Sequence, residues 1–171
     1  AGVPGSSSGK LRGRKFDEWD GGVRVPAVFY WKRAESNYKN LSSQVTGFVD
    51  IVPTLKELVG DKNRPERAYD GISILPLLIG STSCIDRNFY LGCGAVVNKD
   101  YKLIRKGRKP GLNLPQDFLV DYQTDPYEKK NASNGNEQIV RSLYQVALKY
   151  DTITPCLPEI PYGKGREGFK A

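Results

Sequence analysis

The chain has 171 residues, 39% of them hydrophobic, with 18 glycines, 26 Lys and Arg against 19 Asp and Glu, a net charge of +7, and neither His nor Met. This is the composition of a soluble, globular, loop-rich protein of one domain or one and a half, with enough apolar residues for a sizeable core. The longest apolar stretches, residues 25–31 (VPAVFYW) and 74–80 (ILPLLIG), are far too short to cross a bilayer, and a chain without histidine can supply no imidazole to a reaction.

Residues 1–22 are rich in Gly, Ser and Pro and show no period of two or of three to four, the pattern of a loop with turns. No signal-peptide pattern opens them, and AGVPGSSSGK without an initiator Met reads as the start of an excised piece. Residues 23–31 (VRVPAVFYW) have the β-branched and aromatic enrichment of a buried strand, with Pro26 near its start, where a missing N–H is tolerated. After a polar stretch, Val45, Val49, Val52, Leu55 and Leu58 or Val59 recur at steps of three and four, which predicts a helix with one apolar face. Asp50 stands at its cap, Pro53 in the tolerated first turn and Gly60 at its stop.

A short apolar segment held between glycines follows at 70–80 (DGISILPLLIG). Residues 88–97 (NFYLGCGAVV) and 100–107 (DYKLIRKG) read as two strands joined by a turn at Asn98-Lys99-Asp100, and 117–122 (DFLVDY) as a third, together an antiparallel sheet. Ile139, Leu143, Val146, Ala147 and Tyr150 mark one face of a helix over 136–150, placed to cover that sheet. The Pro- and Gly-rich tail, 154–171, is expected to be irregular.

The densest basic segment is 99–109 (KDYKLIRKGRK). It reads first as the solvated turn of a hairpin, the alternative being a track for a polyanion such as nucleic acid or a sulfated glycan. Nucleic acid is not the expected partner, because the aromatic residues do not fall in a stacking pattern with that run. Cys84, Cys93 and Cys156 are an odd count with no metal-ligand spacing. Asn40 and Asn131 head the sequons Asn40-Leu41-Ser42 and Asn131-Ala132-Ser133, glycosylation acceptors that suit a protein matured in a secretory lumen.

Four stretches carry a family likeness in their order. The first is Gly13-Arg14-Lys15, then residues ending in Asp20, then Gly21-Gly22 and Val23-Arg24-Val25-Pro26. The second is 49–60 (VDIVPTLKELVG), the third 70–80, and the fourth the pair 100–104 (DYKLI) with 121–133 (DYQTDPYEKKNAS). In this wording and order the chain resembles the type I sulfatases, and within them the arylsulfatase B-like members. The resemblance implies an α/β, alkaline phosphatase/sulfatase-like fold. Residues 1–83 would be the end of the large α/β domain, with 25–31 a strand of its sheet. Residues 84–171 would be the small C-terminal domain, a four-stranded antiparallel sheet packed with a helix.

The same resemblance implies a sulfuric ester hydrolase that uses formylglycine, calcium and histidines, all outside this segment. The segment is then expected to be inactive alone and to have the missing N-terminal sulfatase portion as its partner. A sulfate ester or sulfated glycan is the implied substrate, and the secretory lumen, lysosomal or extracellular, the implied location. No membrane partner is expected.

One residue of the implied reaction centre falls within the chain. Lys15 stands, six residues before the Gly-Gly pair, where the family has a lysine that contacts the substrate sulfate. A fixed ammonium there stabilises charge building on the sulfate oxygens more than it stabilises the ground state. Gly21 and Gly22 are expected to form the tight turn that delivers Lys15, using the positive φ that glycine takes freely. Arg24 either touches an anionic substrate or pairs with Asp20, and Trp19 either lines the substrate mouth or packs against the strand. A reading from a different class is a non-catalytic sulfatase-like protein that binds sulfated polysaccharide or serves a structural role.

Overall fold

The structure, a computed structural model, describes residues 7–28, 30, 44–63, 65–108 and 112–153. Its centre is a sheet of four short strands, β1 (Phe89–Gly92), β2 (Ala95–Val97), β3 (Tyr101–Ile104) and β4 (Phe118–Asp121), in the order β1-β2-β3-β4 with every neighbouring pair antiparallel. The expected strand over 88–97 is in fact a hairpin of two. It reverses at Gly92-Cys93-Gly94, whose φ angles of 107°, 45° and 77° are all left-handed, a conformation that two glycines adopt without the Cβ clash. The turn expected at Asn98-Lys99-Asp100 forms as an Asx turn, with Asn98 Oδ1 accepting from the N–H groups of Asp100 (3.0 Å) and Tyr101 (2.8 Å).

Alternation along the strands sends side chains to two faces, and both faces are covered. On one, Val96, Leu103 and Leu119 pack with Leu143 and Ala147 of the helix α4 (Glu137–Asp151), as its apolar spacing predicts. On the other, Ala95, Ile104 and Val120 pack with Trp19 from the N-terminal loop. Arg105 reaches from the end of β3 to Asp151 (2.9 Å) and the Tyr144 hydroxyl (3.1 Å), tying the last turn of α4 to the sheet. The basic run at 99–109 is therefore not a solvated turn throughout. Lys102 and Arg105 are buried, at 0% and 6% exposure, because strand geometry turns them away from solvent.

The helix expected from residue 44 onward is a 3-10 turn, Phe48–Asp50, leading into α2 (Ile51–Leu58). Asp50 does not cap it through its side chain. Its fully buried carboxylate instead accepts from Gly47 N (2.8 Å), Ile72 N (3.0 Å) and Arg87 (2.7 Å), and joins three segments. Thr54 extends this hub by donating to Asp50 O and accepting from Ile74 N, just ahead of the short helix α3 (Leu75–Leu78). Gly60 stops α2 as expected. At φ 71° it donates to Glu57 O while Asp61 donates to Lys56 O, the paired bonds of a Schellman motif.

The strand expected over residues 25–31 is not formed among the described residues. A single helical turn, α1 (Asp20–Val23), is followed by 24–28 without regular structure, with Val25 and Val28 78% and 93% exposed. A strand of a large sheet needs neighbours for its backbone groups, and none lies beside it among the described residues.

Candidate functional site

Residues 12–23 form a loop whose two legs lie on the sheet and whose tip carries Lys15. The tip is a tight turn in which Arg14 N donates to Asp17 Oδ2 (2.9 Å) and Asp17 N to Arg14 O (2.9 Å). Phe16, between them, takes a φ of 75° and is 78% exposed, an uncommon state for a bulky residue. Gly21 and Gly22 play a different part from the one expected. Neither has positive φ; both belong to α1. They permit close backbone approach: a Cβ on Gly21 would lie 2.6 Å from Arg12 O, and one on Gly22 would run into the carbonyl oxygens of Asp17 and Arg14.

The legs are fixed to the sheet by buried charge. Lys102 Nζ, from β3, donates to Asp20 Oδ1 (2.5 Å), Glu128 Oε1 (2.6 Å) and the Glu18 carbonyl (3.0 Å), using its three protons. Glu128 Oε2 accepts from Asp20 N (2.7 Å), and the Tyr122 hydroxyl donates to Asp20 Oδ1 (2.9 Å). Arg12 donates to the Glu128 carbonyl (2.5 Å). Burial pushes the Glu128 carboxyl above its usual range against the pull of Lys102, and pushes the Tyr122 hydroxyl up, reinforced by the charge of Asp20. Lys102, Glu128 and Tyr122 were not singled out from sequence, and Asp20 was named only as the acid ahead of Gly21-Gly22 and as a partner for Arg24. The available signal was the alternation in DYKLI, which puts Lys102 on the same face as Ile104.

Trp19 does not line a mouth. It is 4% exposed, meets Phe118 edge-on at 5.0 Å and carries the Arg12 guanidinium 3.6 Å above its ring, because the sheet face needs an apolar cover there. Arg24 pairs with Asp20 at 2.9 Å while 60% of its side chain stays exposed. Lys15 is exposed, has no ion pair among the described residues, and holds its ammonium 4.9 Å from the Phe16 ring centroid. Phe16 in turn lines a shallow, largely apolar depression of about 460 Å³ together with Val23, Leu91 and Cys93.

Asn131 holds the backbone together beside β4. Its Nδ2, the atom a glycan would occupy, donates to Asp117 O (2.8 Å), and its Oδ1 accepts from Leu119 N (2.9 Å) and Ser133 N (3.0 Å). Asn40 lies outside the described residues, as does Cys156; Cys84 and Cys93 are exposed. Among the described residues no group of three or more His, Cys, Asp or Glu comes together to hold a metal ion, and the close buried pair of Asp20 with Glu128 already encloses the Lys102 ammonium. These residues do not fit calcium. No helix of the described residues is long and apolar enough to cross a membrane.

A four-stranded antiparallel sheet with one helix across it matches the small C-terminal domain of the α/β sulfatase fold. The fold is shared with a sulfatase structure from work on the metabolism of multiple glycosaminoglycans by Bacteroides thetaiotaomicron, at a TM-score of 0.51 and 22% identity over 61% of this chain and 24% of that one. No family model matches the chain. Its curated relatives nevertheless agree. It is 33% identical to human (Homo sapiens) steryl-sulfatase over 97 residues, 56% of this chain and 16% of that protein. It is 33% identical to arylsulfatase H of Canis lupus familiaris over 96 residues, 55% and 17% of the two chains. It is 27% identical to an ulvan-active sulfatase of Formosa agariphila across 91% of this chain and 40% of that protein. Sulfatases are thus similar to this chain over half of it or more. The chain spans between about a sixth and two fifths of the length of these relatives.

Proposed function

We propose that this segment supplies a sulfuric ester hydrolase with one sulfate-contacting cation, Lys15, and with the small domain that fixes its loop. The observation that carries this reading is an exposed lysine without an ion pair among the described residues, on the tip of a loop whose legs are anchored in buried charge. An ammonium held in this way can meet a sulfate ester without first breaking a salt bridge. As the ester bond to sulfur breaks, negative charge grows on the nonbridging and leaving oxygens, and a compact point charge already in place stabilises it without reorganising. The nucleophile, the proton carriers and the calcium ion belong to polypeptide outside these residues, so the segment alone is inactive. Residues 1–83 then end the large α/β domain and 84–171 form the small one. A sulfate ester or sulfated glycan is the substrate class, and the secretory lumen the compartment.

The test is Lys15→Ala in a sulfatase polypeptide that contains this chain. Turnover of an aryl sulfate is expected to fall about 100-fold or more in kcat, the scale for losing one donor to transition-state charge. Full turnover by that variant would remove Lys15 from the site. A parent that never turns over but binds heparin in a strongly salt-dependent manner would favour the non-catalytic polysaccharide-binding reading.

A further inference from the structure

We propose that Glu128 is a positioning residue for Lys15, a clamp in the small domain that holds both legs of the loop; this rests on the sulfate-contact reading of Lys15. Its backbone carbonyl accepts from Arg12 on the incoming leg, and its Oε2 accepts from the Asp20 N–H on the outgoing leg. Its Oε1 accepts from Lys102, which also holds the Glu18 carbonyl and the Asp20 carboxylate. Two residues of the small domain therefore fix the stretch 12–20 at both ends, while Lys15 and Phe16 at its tip are exposed. The legs, fixed in this way, decide where the tip and its ammonium lie.

Glu128 is fully buried and has a φ of 59°, a left-handed conformation that a non-glycine residue keeps only where its surroundings over-determine it. Here the surroundings are Arg12, Asp20 and Lys102, bonded to three different atoms of the one residue. A displacement of about 1 Å at a reacting group is enough to lose roughly 100-fold in rate, so a loosened clamp is read in turnover as well as in mobility.

The experiment is Glu128→Gln in a sulfatase polypeptide that contains the chain. Glutamine keeps the volume but replaces one acceptor with a donor, which must face either the Lys102 ammonium or the Asp20 N–H. Amide hydrogen exchange over residues 13–19 is expected to quicken by roughly tenfold or more, while β2 and β3 keep their protection. The value of kcat is expected to fall by up to about 100-fold with KM changing less. Lys15→Ala with Glu128→Gln together should be no slower than Lys15→Ala alone. If Glu128→Gln does not fold, Arg12→Met releases the incoming leg from its exposed side and should give the same changes, smaller in size. Unchanged exchange over 13–19 in a folded variant overturns the clamp whatever the turnover, and losses that multiply in the double variant overturn its coupling to Lys15. A fully active Lys15→Ala beside a loosened loop in Glu128→Gln overturns the sulfate contact and the positioning role with it, while the clamp stands.

Discussion

The β1–β4 sheet is covered on both faces, by α4 on one side and the 12–23 loop on the other, whereas α2 leaves Ile51, Val52, Leu55 and Val59 between 40% and 75% exposed. Both regions carry well-formed apolar periodicity; they differ in what stands opposite it. The sheet finds its cover within the chain, so Leu103, Leu119 and Val96 reach 0% exposure. Around α2 the chain is held by polar contacts through Asp50, Thr54 and Arg87, with Ile74 and Leu77 buried at the neighbouring α3, while Ile51, Val52, Leu55 and Val59 stay bare. An amphipathic helix is only as stable as the surface it packs on. The difference teaches that the sheet, with the 12–23 loop laid on it, buries both of its faces within the described residues, whereas the helical region leaves an apolar face bare among them.

That contrast can be broken most sharply at Lys102. Lys102→Ala leaves the buried carboxylates of Asp20 and Glu128 without their common counter-ion, and removing one partner of such a group costs about 3–5 kcal/mol. Urea denaturation should show the sheet unfolding first in that variant; a loss below about 1 kcal/mol would mean that the charges are better solvated than their burial indicates.

Leu103→Ala comes next, with an expected loss of roughly 2–5 kcal/mol for a fully buried leucine. Its counterpart Leu55→Ala, on the bare face of α2, should change stability by no more than about 0.5 kcal/mol in this chain. Similar losses at the two positions would erase the distinction between the regions.

A further effect is a pH dependence. Tyr122 is held neutral by burial and by its bond to Asp20, so its folded pKa lies above the ordinary 10.0. Its contribution is fully present below pH 10.0 and is lost as the pH rises, since above that value the unfolded chain gains charge that the folded one refuses. Stability should therefore fall by about 1.4 kcal/mol per pH unit above the ordinary value from this group. Tyr122→Phe should remove that slope, and tyrosinate absorbance in the folded protein should show one tyrosine fewer titrating.

Much of the fold was legible because it depends on spacing. The turn at Asn98, the stop at Gly60 and the face of α4 follow from residue types placed a few positions apart. The Gly92-Cys93-Gly94 reversal was written in two glycines around a cysteine but was hidden inside an apolar run that could equally be one strand. Trp19 was left open between two roles, and the basic run was misplaced, for another reason: whether a side chain is a rim residue or a core residue depends on which segment lies against it, and that segment is far away in sequence.

The sequence by itself determined where the chain turns and which faces are apolar, and it placed an ammonium at residue 15 ahead of two glycines, because these are matters of local sterics and period. Only the tertiary structure decided that Lys102 is buried, that Asp20 and Glu128 converge on it, and that residues 25–28 stand outside the sheet of the described residues. Charge burial is settled by contacts between residues 82 and 26 positions apart, and strand formation by a hydrogen-bonding neighbour, neither of which any short window of sequence contains.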